Sequence, residues 1–252
     1  MTDPSNNTTD WLQAFLPLGT VRSDSWEPRG GGVLILDRPV VWLVTGRQVV
    51  DPVGDEELAT WIPNERGVGL LNLTRNQRQT GMPWVHHPVG LSAAMLPLDP
   101  SFRIKAFAET QCTRVRDLQP MQPAASVGRL YGPDIAPDQA APPAVLDGII
   151  SAADAKSGSI FTTAPMLPRN LGAPLVLASP YGGPVTLAGI LLGNTMVNEP
   201  DPRMLPVRLG RAICVDAAWE LVRGAEASEQ RRRVTASEGS DDAERSDEEP
   251  TA

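Results

Sequence analysis

From about residue 30 to 220 the chain alternates short apolar, β-forming runs with glycine, proline and asparagine punctuation: VLIL, VVWLVT, VGLLNL, AAMLPL, PLVLA and VTLAGILLG. Each run is too short for an ordinary globular helix, and each break carries turn chemistry. Parallel βαβ units need helical stretches of a dozen or so residues between the runs, and none is evident there. The expected architecture is mainly β, a sandwich or barrel of many short strands.

The ends read differently. In DAAWELVRG, 216–224, Ala218, Leu221 and Val222 recur at helical spacing behind Asp216 as a candidate N-cap, with Arg223 and Gly224 at the exit. A closing C-terminal helix is expected there. At the other end, residues 1–10 read as a disordered leader. Asp10 is a candidate cap for a short apolar helix, WLQAFLPL, interrupted by Pro17. From residue 225 to 252 large apolar side chains almost vanish and charge dominates, so a disordered acidic tail is expected, with Arg231, Arg232 and Arg233 in a solvated end. The folded domain is then 11–224, and the Pro-rich piece 133–143 reads as a surface spacer.

Several functions are disfavoured. The formal charge of −8 argues against nucleic-acid binding, which needs concentrated positive potential. No run approaches the roughly 18 apolar residues of a membrane span, and the opening MTDPSNNTTD is unlike a secretory signal, so a cytoplasmic location without membrane association is expected. Cys112 and Cys214 lack metal-site spacing and are expected to be reduced thiols. The two histidines, His86 and His87, are adjacent but have no Cys, Asp or Glu at ligand spacing, so no metal or cofactor is expected. The tryptophans, Trp42, Trp61 and Trp84 among them, are expected to pack in cores or at barrel edges.

Three islands, in order, carry a resemblance. GGGVLILDRPVVWLVTGRQVV, 30–50, resembles a glycine-rich strand followed by one ending in a Thr-Ala-x-His type motif. HHPVGLSAAMLPL, 86–98, is similar to an Asp followed by a Val-Ala-Val-Leu-Pro-Leu type strand, through Ala94, Leu96, Pro97 and Leu98. SIFTTAPMLPRNLGAPLVLASPYGGPVTLAGILLGN, 159–194, resembles a Gly-x-Ser-Gly-Gly-Pro turn and its flanking strands, through Pro168, Asn170, Gly172 and Pro174. Together they resemble the chymotrypsin- or trypsin-like serine peptidases. The resemblance implies a two-barrel fold with a C-terminal helix, the halves spanning about 20–118 and 119–215 and the closing helix 216–224. DGIIS and LGRAICV are the further second-half strands it implies.

The same alignment puts the general base at Gln48, the orienting carboxylate at Ser92 and the nucleophile at Leu171. A rival register through YGGP, with Tyr181 as nucleophile, leaves about five residues for a strand and loop, too few. Leucine has no attacking oxygen, a glutamine amide is not basic, and a serine hydroxyl carries no charge to stabilise an imidazolium. Arg169 and Ala173 replace glycines around Asn170 and Gly172, so a disturbed oxyanion turn is also implied.

The expected function is a catalytically inactive peptidase-like module that holds a protein or peptide in the remnant cleft. Two alternatives stand beside it. One is a structural domain with a filled cleft; the other is a hydrolase pairing Ser92 or Ser179 with His86 or His87 within about 3 Å.

Overall fold

The computed structural model describes residues 10–22, 25–51, 56–97, 99–129, 143–167, 169–178, 184–197, 207–224 and 226–232. The proposed spacer at 133–143 and the leader therefore lie almost wholly outside the described residues.

Seven strands form the N-terminal half: β1 (Phe15–Arg22), β2 (Ser25–Asp37), β3 (Val40–Gly46), β4 (Glu57–Asn64), β5 (Gly67–Asn72), β6 (Val85–His87) and β7 (Leu91–Met95). Their hydrogen-bonded order is β5-β4-β1-β2-β3-β7-β6, all antiparallel, in a sheet that the ladders do not close. The C-terminal half is a closed six-stranded barrel in the order β10-β13-β12-β11-β8-β9. It is built from β8 (Pro123–Gly128), β9 (Ala144–Asp154), β10 (Ser159–Thr162), β11 (Pro174–Leu177), β12 (Thr186–Val197) and β13 (Val207–Cys214). Every β run read from the sequence contributes to one of these strands. β3, with neighbours on both edges, is buried along its whole length, and Trp42 is fully enclosed at its centre.

The opening segment departs from expectation. Asp10–Ala14 makes only a 3-10 turn, and the chain enters β1 at Phe15 with Pro17 inside the strand. Phe15, Leu16 and Leu18 all reach the core from an extended chain, and burying them outweighs the local helical pattern. One-turn α1 (Arg47–Val50) follows β3. A second departure is α2 (Leu73–Thr80), which follows directly on β5. It is largely polar, so periodicity gave no warning; its start is fixed by Asn72, whose side chain accepts from Arg75 N at 2.8 Å.

The closing helix forms as α3 (Val215–Arg223), burying Ala218, Leu221 and Val222. Its N-cap is Cys214, not Asp216, because the Asp216 carboxylate is engaged elsewhere: it accepts from Val115 N at 2.8 Å and ties the helix to a distant 3-10 turn. The chain does not leave the domain at 225. Residues 226–232 are helical, Ala227 and Gln230 are buried, and Gln230 Nε2 donates to Pro83 O at 3.0 Å. Arg231 ion-pairs with Asp37 at the end of β2 and donates to Val222 O. Arg231 is thus a structural clamp, where a solvated end was expected; the Asp37 carboxylate, only 15% exposed, holds it and also lies 3.8 Å from Arg223. Arg233 and the acidic stretch after it lie outside the described residues.

The clamp yields a truncation test. Ending the chain after Gly224 removes a partly buried charged hydrogen bond and is expected to cost about 1–3 kcal/mol, a fall of several degrees in Tm. Ending it after Arg232 is expected to leave Tm within about one degree, since the segment beyond offers little apolar surface. Thermal melts of the two truncations against the full chain check both.

Candidate functional site

β3 leads into the site through Thr45, whose buried hydroxyl donates to Gly31 O at 2.6 Å. One turn later Gln48 projects across to the other half, its Nε2 donating to Leu192 O on β12 at 2.6 Å. The Leu192 side chain lies over two glycines of the N-terminal half, so that a Cβ added at Gly46 or Gly90 would stand 3.2 or 3.6 Å from its methyl carbons. The Leu192 carbonyl and side chain therefore lie beside Gln48, which remains exposed.

Ser92 is the second residue of β7, opposite Thr45 on β3 and His86 on β6. It is fully buried, and its Oγ lies 2.7 Å from His86 Nδ1. His86 itself is exposed on the edge strand. His87 faces α3 instead. Its Nδ1 accepts from Val89 N at 3.3 Å and its Nε2 lies 3.5 Å from Glu220 Oε2. Among the described residues no cluster of three or more His, Cys, Asp or Glu side chains is placed to hold a metal.

The third element is the turn before β11. Gly172 adopts φ 83°, and any side chain there would collide with the Thr45 hydroxyl and Gly31 carbonyl. Leu171 O accepts from Gly31 N at 2.7 Å, and Gly172 N donates to Leu191 O at 2.7 Å. Asn170 is buried and holds the backbone of Arg129, accepting from its N–H at 3.0 Å and donating to its carbonyl at 3.3 Å. Arg169 takes the left-handed backbone itself, at φ 64°, a conformation that costs a non-glycine residue roughly 1–2 kcal/mol and that the surrounding hydrogen bonds hold in place. Ala173 needs no such freedom, since it is buried and already in ladder-like contact, accepting from Leu191 N at 2.9 Å. Among the described residues the amide N–H groups of Arg169 and Leu171 have no hydrogen-bond acceptor, so two donors from the same turn are available.

Gln48, Ser92 and Leu171 thus gather around Thr45 and Gly46, from three segments far apart in sequence. A search of solved structures finds the same arrangement of halves in a serine endoprotease from Yersinia pestis, with a TM-score of 0.51 over 87% of this chain and 65% of that one. This is the trypsin-like two-barrel fold. At 17% identity the likeness is one of fold, and the chain spans just under two thirds of that endoprotease's length. No family model and no curated protein matches the chain.

Ser179 and Tyr181 lie outside the described residues, between β11 and β12, as does Pro168 in the turn. Cys112 and Cys214 are both free thiols. Cys112 lines a cavity of about 300 Å³ against α3, beside Trp219, with Arg223 stacked 4.6 Å above the indole ring. Burial pushes its pKa up to about 11, and burial raises that of Cys214 as well, so both are protonated and weakly nucleophilic near neutral pH. Ionic partners complete the wall: Glu109 accepts from Arg223 at 2.7 Å, which holds its carboxyl below the usual range.

The thiol shift has a stability consequence. Below about pH 9 the unfolded and folded Cys112 are both protonated; above it the unfolded thiol ionises first, so the folded state loses stability as pH rises from 9 towards about 11. Urea unfolding of the wild type is expected to show this loss between about pH 8 and 10.5. Cys112→Ala, though less stable overall, is expected to show a shallower slope.

Proposed function

We propose that this chain is a trypsin-fold module without serine-peptidase chemistry, which uses the groove between its halves to hold an extended peptide or protein segment. The reading rests on one observation above all. At the positions aligned with the base, the orienting carboxylate and the nucleophile of such a fold, this chain carries an amide, a buried hydroxyl and an aliphatic side chain, Gln48, Ser92 and Leu171. Acyl transfer needs an attacking oxygen, a proton acceptor and a charge to steady the imidazolium, and none of these positions supplies its part.

Binding is supported by the sheet edges. β11 pairs with β12 only from Thr186 to Ile190, so from Leu192 onward β12 is laddered on one side alone, to β13. An extended segment can add to such an edge through main-chain hydrogen bonds. The bond from Gln48 to Leu192 O occupies one acceptor at its start. The same bond, with Leu192 packed over Gly46 and Gly90, also favours the alternative of a filled cleft, in which the groove serves only to join the halves.

The unconventional hydrolase is supported by the 2.7 Å separation of Ser92 Oγ and His86 Nδ1. Burial weighs against it. Ser92 has no exposed surface, and a nucleophile hidden inside a sheet cannot meet a carbonyl carbon at the roughly 3–3.5 Å that attack requires.

The purified protein is therefore expected to cleave no peptide or ester above background and to take no fluorophosphonate label, as removal of triad members lowers rates by about 10⁴–10⁶. Labelling lost in Ser92→Ala would replace the reading with the Ser92–His86 hydrolase. For binding, backbone amide shifts at Gly193–Met196 on titration with a mixed extended-peptide library support the groove. Their absence, with Gln48→Ala unchanged, supports the filled cleft.

A further inference from the structure

A second strand edge, on the far side of the N-terminal sheet, has the makings of a docking site. β5 ends the sheet, pairing with β4 alone. Natural edge strands are usually guarded by charge, proline or a covering element. From Gly67 to Asn72, β5 carries no charged residue, and Val68 and Leu70 stand 37% and 43% exposed. The ladder sets Val68 opposite Pro63 and Leu70 opposite Trp61, so these four side chains share one face of the hairpin.

Charge sits at both ends of this edge. Arg66, in the turn before β5, is exposed and makes no ion pair among the described residues. At the other end α2 presents Arg75 and Arg78, which share the single carboxylate of Glu57 at 3.2 and 3.6 Å. Glu65 is already engaged by Arg103 at 2.8 Å. The edge is thus an apolar, uncharged stretch of about 20 Å, six residues at strand rise, with guanidinium groups at both ends.

We infer that the β5 edge docks an extended segment about six residues long, with apolar residues at alternate positions and carboxylates at both ends. Main-chain hydrogen bonds to β5 hold the segment, Val68 and Leu70 contact its apolar side chains, and the flanking arginines fix its register. A second copy of the chain is a poor occupant. Antiparallel self-pairing brings Arg66 of one copy towards α2 of the other, and parallel pairing sets Arg66 against Arg66, so like charges meet either way.

The test uses the full chain and a fluorescently labelled probe peptide, Asp-Glu-Val-Thr-Val-Thr-Val-Glu-Asp, with a control whose four acidic residues are lysines. Anisotropy is expected to show half-saturation below about 1 mM for the acidic probe, and binding at least about tenfold weaker for the lysine form. Leu70→Asp and Arg66→Glu are each expected to weaken the acidic probe about tenfold while leaving the melting temperature within a few degrees, since both side chains are exposed. Equal binding of the two peptides, no binding of the acidic probe, or binding untouched in both variants would overturn the inference. So would a dimer in sedimentation that Leu70→Asp abolishes, because it would assign the edge to a second copy.

Discussion

The rest of the structure depends on the seam where Gly31, Thr45, Leu171 and Gly172 meet. Thr45 donates to Gly31 O, Gly31 donates to Leu171 O, and Gly172 donates to Leu191 O, so one short chain of hydrogen bonds crosses from the N-terminal sheet to the barrel. Such bonds are individually worth about 1 kcal/mol, but leaving any of these buried groups unpaired costs more. The seam also imposes a steric rule: only glycine at 172 lets the barrel turn come this close to β3. Once the halves are joined at this distance, Gln48, Ser92 and Leu171 have no choice but to be neighbours.

That constraint separates scaffold from chemistry. The turn has left-handed torsions at Arg169 and Gly172, a buried Asn170 strut and, among the described residues, two amide donors without an acceptor. Gln48 makes a structural bond to Leu192 O, and Ser92 makes one to His86. Both polar groups therefore stabilise the static fold. The helix α3 and the segment 226–232 brace the assembly through Asp37, Glu109, Asp216 and Arg231, a network that reaches the N-terminal sheet and the loops before the barrel.

The sequence was most legible where burial and periodicity agree. VVWLVT, PLVLA and VTLAGILLG became fully or largely buried strands, and the spacing of Ala218, Leu221 and Val222 found α3. It was least legible where tertiary context overrode local pattern. WLQAFLPL reads as helical until Phe15 and Leu18 are needed in the core, and α2 has too few apolar residues to show a period. Asp216 looked like a cap because caps are local, whereas its actual partner lies 101 residues away. Of the site, the three aligned positions could be named from motif order. The bond from Gln48 to a carbonyl 144 residues distant could not. Nor could the clamp at Arg231, because a run of arginines among carboxylates reads as solvated until one of them is seen against a nearly buried aspartate.

The central claim is that Gln48 and Leu171, far apart along the chain, share one site at the seam between the halves. Its most direct test replaces both native cysteines with alanine, introduces Gln48→Cys and Leu171→Cys, and treats the folded protein with a short bifunctional maleimide. The account predicts an intramolecular cross-link, seen by intact mass and by joined peptides after digestion, that forms in buffer and is suppressed in concentrated urea. Two singly modified cysteines with no joined peptide, in a protein shown by circular dichroism to be folded, would contradict it.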